Sequence, residues 1–303
     1  MSTDATAPPH AYTCFGQHIH SDFAFQEMDE TQAAAPDIVI ERCNKLLRAR
    51  APQQFTEFSP DCQFFDFPNV VQAEITGAMH LQLALYPGAA EEMLGLPVLG
   101  PIMATLLHYK GYLVIHGSGL VMDGKLNVFV GHRGAGKSTT AASLLTSGHQ
   151  LFSDDLIVID LDDPTAPMAL AGYPAVKLGP DILARFHPKN ARLLSNGGYA
   201  YPKERLRLEQ VTPPQRLPVN AIYALKRSDA AAIEQLEFNS AMDQLMQNSY
   251  MLKYGDAPMA AGRGAKHFLQ VTQLATRISV KTLMTPSSLD ALHQIEPLLL
   301  KDG

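Results

Sequence analysis

The sequence predicts an α/β fold, with a strand–glycine loop–helix core and a small β-rich domain in front of it. Three observations carry this. An apolar run at residues 126–130 leads through Gly131-His-Arg-Gly-Ala-Gly136 into a small-residue helix at 138–145. Before Ala89 the chain shows short strand-like segments and no helical period. After it, strands and helices follow one another to the end. With 303 residues, 46% hydrophobic and 18% charged, the chain is long and apolar enough for one or two globular domains.

In order, residues 1–10 are rich in Ala, Pro and Thr and read as a frayed tail without a signal-peptide core. The first domain spans 11–88. Its candidate strands are 11–15, 19–25, 37–41, 63–67 and 70–75, with Pro68-Asn69 as a turn. His18-Ile19-His20 sets two imidazoles on one strand face, as a metal-binding pair or as plain surface; no third ligand is near. The second domain, 89–303, opens with a linking helical stretch at 90–109, started by Glu91 and Glu92 and interrupted near Pro97 and Pro101. Strands at 112–116 and 117–121 lead to Asp123-Gly124, a hairpin signal. The strand at 126–130, the glycine loop and the helix follow, ending near Gly148. A brief strand, 150–153, ends on Asp154-Asp155, and a second apolar run covers 156–159. Then come a strand within 172–178, a helix at 180–186 and a Pro-, Arg- and Lys-rich segment, 187–218, of functional-loop length. A buried strand at 219–226, helices at 241–253 and 265–277, a strand at 278–283 and a helix at 287–300 close the chain.

Gly131-x-x-x-x-Gly136-Lys137-Ser138 is the Walker A, or P-loop, pattern. Its glycines let backbone N–H groups turn around phosphate oxygens, and the helix N-terminus adds partial positive charge. Lys137 reaches β- and γ-phosphates and the Ser138 hydroxyl holds Mg²⁺. The expected nucleotide-binding residues are Gly131, His132, Arg133, Gly134, Ala135, Gly136, Lys137, Ser138 and Thr139, and the expected cofactors are ATP and Mg²⁺. Arg133 is a further candidate for phosphate or substrate contact.

Such a site needs carboxylates, and Asp154-Asp155 supplies them if an adjacent strand returns its C-terminal end beside the loop. Neighbours on an extended chain point apart, so the two divide the work. One holds the metal or its water, and the other accepts a proton from an incoming hydroxyl. Ser138 and Asp155 are the expected metal ligands. His116 ends a strand just upstream of the hairpin and is a metal ligand or a proton partner of an aspartate. The expected catalytic set is Asp154, Asp155, His116 and Lys137. Lys203, Arg205 and Arg207 either close over a triphosphate as a mobile loop or form a solvated charged segment. No Asn-Lys-x-Asp guanine signature follows the loop, and no protein-kinase HRD or DFG set occurs.

The bulk numbers exclude other classes. A net charge of −6 argues against general nucleic-acid binding. Cys14, Cys43 and Cys62 form no CxxC and suit buried thiols in a reducing cytosol. No run of 18 apolar residues offers a membrane span. A cytoplasmic protein without nucleic-acid or membrane partners is expected; a homo-oligomer stays open.

Four elements in order, Ile115-His116-Gly117-Ser118, Asp123-Gly124, Gly131…Lys137-Ser138-Thr139 and Ser153-Asp154-Asp155, resemble the catalytic core of HPr kinase/phosphorylase relatives. The same core is similar to that of ATP-dependent phosphoenolpyruvate carboxykinases. This resemblance covers about residues 111–160. A looser one, in Phe15-Gly-Gln-His-Ile-His-Ser-Asp-Phe23, Gly172-Tyr-Pro-Ala-Val-Lys-Leu178 and Asn248-Ser-Tyr250, is to HPr-kinase-like proteins of lasso-peptide gene clusters. Those proteins phosphorylate the side-chain hydroxyl of the precursor peptide's C-terminal residue, usually serine. The resemblance implies an α/β kinase of that type. Lys137 and Ser138 would hold nucleotide and Mg²⁺, and Asp154 and Asp155 would supply base and metal functions. His116 matches a histidine that binds metal in the carboxykinases and lies in the active site of the HPr kinases. The chain lacks the Glu-x-Arg-Gly segment and the Gly/Pro-rich C-terminal loop of dedicated HPr kinases; Ala261-Gly-Arg-Gly264 is only an echo. It is also shorter than a carboxykinase. The implied activity is a peptide serine kinase with a lasso precursor peptide as partner. The alternatives are an HPr-like protein serine kinase, a small-molecule kinase on the same core, or a non-catalytic ATP-binding sensor, against which the retained aspartate pair speaks.

Overall fold

The computed structural model describes residues 9–50, 53–188, 190–198, 200–209, 212–260 and 262–302. The chain is mixed α/β and divides into two compact units. One runs from the N-terminus to Lys110 and includes Ser195–Ala200; the other comprises Gly111–Leu194 and Tyr201–Gly303. The helical stretch 90–109 falls in the first unit, where the sequence reading assigned it to the second domain. Among the described residues no helix is long and apolar enough to cross a membrane.

In the first unit β1 (His10–Cys14), β2 (Gln17–Ser21), β3 (Ile38–Arg42), β4 (Phe55–Phe58), β5 (Cys62–Phe67), β6 (Val71–Thr76) and β7 (His80–Leu85) form one sheet. Its order is β1-β2-β3-β7-β6-β5-β4. β3 runs parallel to β2 and β7, and the other pairs are antiparallel. Phe15 and Gly16, at φ 52° and 66°, make the two-residue turn between β1 and β2 that strand twist favours. His10 opens β1 and is no part of a frayed tail; residues 1–8 lie outside the described residues. The candidate strand at 19–25 stops at Ser21, whose Oγ donates to the Phe23 carbonyl and accepts the Phe23 N–H, both at 2.9 Å. That local exchange takes the chain out of the ladder. β4 and β7 were not foreseen. Residues 90–109 break into a 3₁₀ turn (Glu91–Met93), α1 (Gly95–Pro97), a π segment (Val98–Ile102) and α2 (Met103–Tyr109). The backbone kinks at Gly100, next to Pro101, which has no N–H to give.

The second unit contains β8 (Leu113–Met122), β9 (Lys125–Val130), α3 (Lys137–Thr146), β10 (Gln150–Asp160), β11 (Met168–Leu170), β12 (Ala175–Leu178), α4 (Pro180–Arg185), β13 (Ala191–Leu193) and β14 (Glu204–Leu208). β15 (Arg216–Ser228), β16 (Ala232–Gln235), α5 (Phe238–Gln247), α6 (Arg263–Arg277), β17 (Ser279–Pro286) and α7 (Ile295–Asp302) complete it. The main sheet has the order β11-β10-β8-β9-β15-β17-β16, and β11 also pairs with β15. β9, β15 and β17 are mutually parallel, while β8 runs antiparallel to both its neighbours, β9 and β10. Strand alternation sends Leu126, Val128 and Val130 into a core with Ala241, Leu245, Val271 and Leu274 of α5 and α6. It sends Phe129 into a second core with Ala141, Ala142 and Leu145 of α3 and Leu299 of α7. The sheet is thus covered on both faces, as parallel strands require.

Three expectations change here. The strands foreseen at 112–116 and 117–121 are one, β8, and those around Asp154-Asp155 are also one, β10. Residues 187–218 are not a continuous loop, because β13 and β14 join β12 in a three-stranded sheet, order β12-β14-β13. Arg205 consequently sits in β14 at 1% exposure and cannot close over a ligand as part of a mobile loop. β11 and β16, both short, had no sequence signal.

Candidate functional site

β8 lines up the chemistry. Val130 pairs with Gly117, and Gly117 with Asp155; Phe129 pairs with Ser118, and Ser118 with Asp154. Both aspartates therefore stand level with the end of β9, where the glycine loop begins. The sequence reading placed them at the end of a strand adjacent to that loop. They lie instead within β10, one strand further away, because β8 intervenes. Gly117 makes the close stacking feasible: a Cβ there would stand 2.7 Å from the Phe129 carbonyl oxygen.

Nor do the two carboxylates point apart. Asp155 has φ 66°, a left-handed conformation that few non-glycine residues adopt, and the ladder shifts register between Leu151 and Ser153. Both aspartates line one cavity of about 640 Å³. His116, Lys137, Ser138, Lys203 and Arg227 line it too.

The two aspartates differ electrostatically. Asp154 is buried and accepts the Ser118 hydroxyl at 2.6 Å. Burial and the neighbouring Asp155 charge push its carboxyl up to about 6, against the lowering effect of Ser118. Burial acts on Asp155 in the same direction, but the Lys177 ammonium, 2.5 Å away, outweighs it and holds Asp155 well below the usual carboxylate range. Lys177 is correspondingly held above its ordinary value: Asp155 more than offsets burial. His116 is pushed down to about 4, by burial first; Asp155 opposes and the Lys137 and Lys253 charges add to the drop. The ring is therefore neutral near pH 7. Its Nδ1 lies 3.0 Å from the Asp155 carbonyl, which can only accept, so Nδ1 carries the hydrogen and Nε2 keeps a lone pair. The Tyr250 ring stands edge-on to it at 5.9 Å.

In the loop Gly131, Gly134 and Gly136 have φ values of 151°, 86° and 105°. Lys137 folds back over its own loop and donates to the Gly131 carbonyl at 2.5 Å and the His132 carbonyl at 3.3 Å. Burial lowers its pKa, with Asp155 and Asp154 opposing. Ser138 Oγ accepts from Lys203 Nζ at 3.4 Å. Arg133, Gly134, Gly136, Lys137, Ser138 and Thr139 line the cavity. Gly131 and His132 line a separate one, and Ala135 is buried.

Sequence reasoning missed four residues. Lys177 lies in the Gly172…Leu178 stretch, but nothing local marks it as the partner of Asp155. Arg227 lies near the end of β15, and its guanidinium stands 3.4 Å from where a Cβ on Gly136 would be. Tyr201 lines the cavity beside Lys203. Asn248, buried, accepts the Gly131 N–H at 2.8 Å, donates to the Gln244 carbonyl at 2.8 Å, and takes the His116 N–H on its own carbonyl at 2.8 Å. It ties the loop to the strand of His116 over a sequence distance no motif spans. His18 and His20 lie exposed and half-buried on β2. Among the described residues no group of three or more His, Cys, Asp or Glu is placed to hold a metal.

No family model matches the chain, and no curated protein matches it. Among solved structures it is similar to the Hpr(Ser) kinase/phosphatase from Coxiella burnetii, at 13% identity and a TM-score of 0.33, over 62% of this chain and 95% of that one.

Proposed function

We propose that the second unit is an ATP- and Mg²⁺-dependent phosphotransferase acting on a serine hydroxyl of a peptide, with the C-terminal residue of a lasso-peptide precursor as the acceptor. One observation carries this: a single cavity joins Lys137 and Ser138 of the glycine loop to Asp154 and Asp155 across β8. Arg133, Lys137, Lys203 and Arg227 line it as well, a cationic lining that suits a triphosphate.

The residues fit Mg²⁺. The Ser138 hydroxyl and the Asp155 carboxylate are hard oxygen donors on one cavity, and the Asp155 carboxylate supplies the negative charge that a divalent cation needs. Mg²⁺ is usually held by one or two carboxylates together with substrate phosphates, so a three-ligand protein cluster is not needed. When bound it supplies charge neutralisation on the β- and γ-oxygens.

The chain's own groups do the rest. Lys137 exchanges the Gly131 and His132 carbonyls for phosphate oxygens. Asp154, with a carboxyl near 6, is ionised at neutral pH yet basic enough to accept the serine proton, and Ser118 fixes its orientation. The serine oxygen bonds to the γ-phosphorus as the bond to the β,γ-bridging oxygen breaks, ADP departs, and the proton passes to Asp154. Lys177 keeps Asp155 anionic, and His116 holds the Asp155 backbone in its left-handed turn.

Intact-mass spectrometry of a precursor peptide incubated with protein, ATP and Mg²⁺ tests this. The expected result is a gain of about 80 Da, one phosphoryl group, at a C-terminal serine, absent with Asp154→Asn. Transfer to free serine or sugars but not to peptide would indicate a small-molecule kinase. ATP binding without transfer to any acceptor would leave a sensor.

A further inference from the structure

We infer that a second cavity, on the far side of the glycine loop from the aspartates, takes the purine base of the nucleotide. The inference rests on the phosphotransferase reading above and assigns a part of the ligand that the loop and the aspartates do not touch. The cavity, about 290 Å³, is lined by Gly131, His132, Leu225, Gln244, Gln247 and Thr282, among others. That is near the lower end, about 300 Å³, of small-ligand pockets, so it suits a base and not a whole nucleotide.

Its position follows from strand order. Across the sheet the strands run β10-β8-β9-β15-β17. The aspartates on β10 mark the side where the γ-phosphoryl group is handled, and the loop springs from β9. A triphosphate held in that loop with its γ end toward β8 and β10 has its α end, and the nucleoside, on the β15 side. The cavity lies there. Ala224 and Leu225 belong to β15, Ala224 pairs with Val130 of β9, and it pairs on its other side with Thr282 of β17. β9, β15 and β17 are parallel, and ligands of such sheets lie beyond the carboxyl ends of the strands.

The two cavities are also continuous in the chain. Gly131 and His132 line this one, the next loop residues line the other, and Arg227 lines both. A nucleotide reaching from one into the other passes Arg227. Asn248 fixes the distance between the walls, since it holds the Gly131 N–H and the Gln244 carbonyl at once.

The lining has the chemistry of a base site. Gln244 and Gln247 lie three residues apart on α5 and so share a face. Among the described residues neither side-chain amide has a hydrogen-bond partner. Each offers one donor group and one acceptor, the combination that an adenine edge takes up. The buried Ala224 and Leu225 supply an apolar floor for the ring.

Calorimetric titration of the full chain with ADP and, separately, with inorganic tripolyphosphate tests this. Thr282→Phe fills the cavity, and Gln244→Ala with Gln247→Leu removes its amides without filling it, so one variant remains informative if the other misfolds. Both are expected to weaken ADP binding at least about ten-fold and to change tripolyphosphate binding less than about two-fold. Lys137→Ala is expected to weaken both ligands. ADP binding unchanged in folded cavity variants would overturn the base assignment and leave the loop as the phosphate site. A wild-type chain that binds neither ligand would overturn the phosphotransferase reading, and this inference with it.

Discussion

Each unit buries carboxylate within a seven-stranded sheet, and the two are built in opposite ways. In the first unit Asp66, fully buried, accepts from the Tyr86 hydroxyl at 2.7 Å and the Gln72 amide at 2.8 Å, while Gln72 in turn accepts the Arg48 N–H at 3.0 Å. These two partners are neutral and are bonded to each other, the Gln72 amide donating to the Tyr86 hydroxyl at 3.4 Å. In the second unit Asp154 and Asp155 repel one another, Asp155 has a left-handed backbone, and both face a cavity. A buried carboxylate that takes hydrogen bonds from side chains of its own sheet holds a fold together. Two adjacent carboxylates with strained backbone and an open face hold free energy that a cationic ligand can release.

The largest effect expected from this contrast is on catalysis. On the proposed reaction Asp154→Asn removes the proposed proton acceptor and should reduce single-turnover peptide phosphorylation by about 10²–10⁴-fold. Asp66→Asn should leave the rate of the folded protein within about two-fold, since Asp66 touches nothing in the cavity. Comparable losses in the two variants would erase the distinction. Lys177→Met should come next. It leaves Asp155 without its cation, and a loss of about 10–100-fold at saturating ATP is expected, as for other groups that orient a ligand-binding carboxylate. A rate equal to wild type would mean that the Lys177–Asp155 pair is only structural.

Asp66→Ala tests the other half of the comparison. It strands the Tyr86 hydroxyl and the Gln72 amide, and urea unfolding followed by far-UV circular dichroism should show a loss of about 2–4 kcal/mol. A loss under about 0.5 kcal/mol would show that water replaces the carboxylate freely.

The contrast also marks what the sequence could reveal. The glycine loop was legible because its residue types and spacing are local and its flanks, an apolar strand and a small-residue helix, lie beside it. Asp154-Asp155 was legible as a pair. Its route to the loop was not, because β10 and β9 meet only through β8, and the left-handed turn at Asp155 that brings both carboxylates to one cavity has no signal in an Asp-Asp dipeptide. Lys177, Arg227 and Asn248 reach the site from strands and helix ends up to 117 residues away from their partners. β14 was hidden by its composition. Glu204-Arg-Leu-Arg-Leu208 alternates like a strand, but a charged Arg205 occupies a buried position where an apolar residue signals a core. The first-unit turn at Pro68-Asn69 carries its own conformational chemistry and could be read without tertiary context, whereas Phe15, at φ 52° and counted at the end of a strand, gave no such signal.

The smallest expected effect separates the two clusters by pH. In the nucleotide- and metal-free protein the Asp154 carboxyl is raised from 3.8 to about 6, chiefly by burial. Between those values the folded chain keeps a proton that the unfolded chain has lost, so the contribution of this group to stability falls as pH rises across the window. Above about 6 the folded state carries the full burden of a buried anion beside Asp155; near the lower value it carries little. Asparagine is neutral at every pH and its oxygen still accepts from Ser118. The thermal midpoint of Asp154→Asn should therefore match wild type near pH 4 and exceed it by a few degrees above about pH 6. Asp66→Ala should lower the midpoint at both, because its stranded donors are neutral. A midpoint difference for Asp154→Asn that stays flat from pH 4 upward would mean that burial beside Asp155 does not raise the Asp154 carboxyl, and the contrast between an open and a closed carboxylate site would lose its electrostatic half.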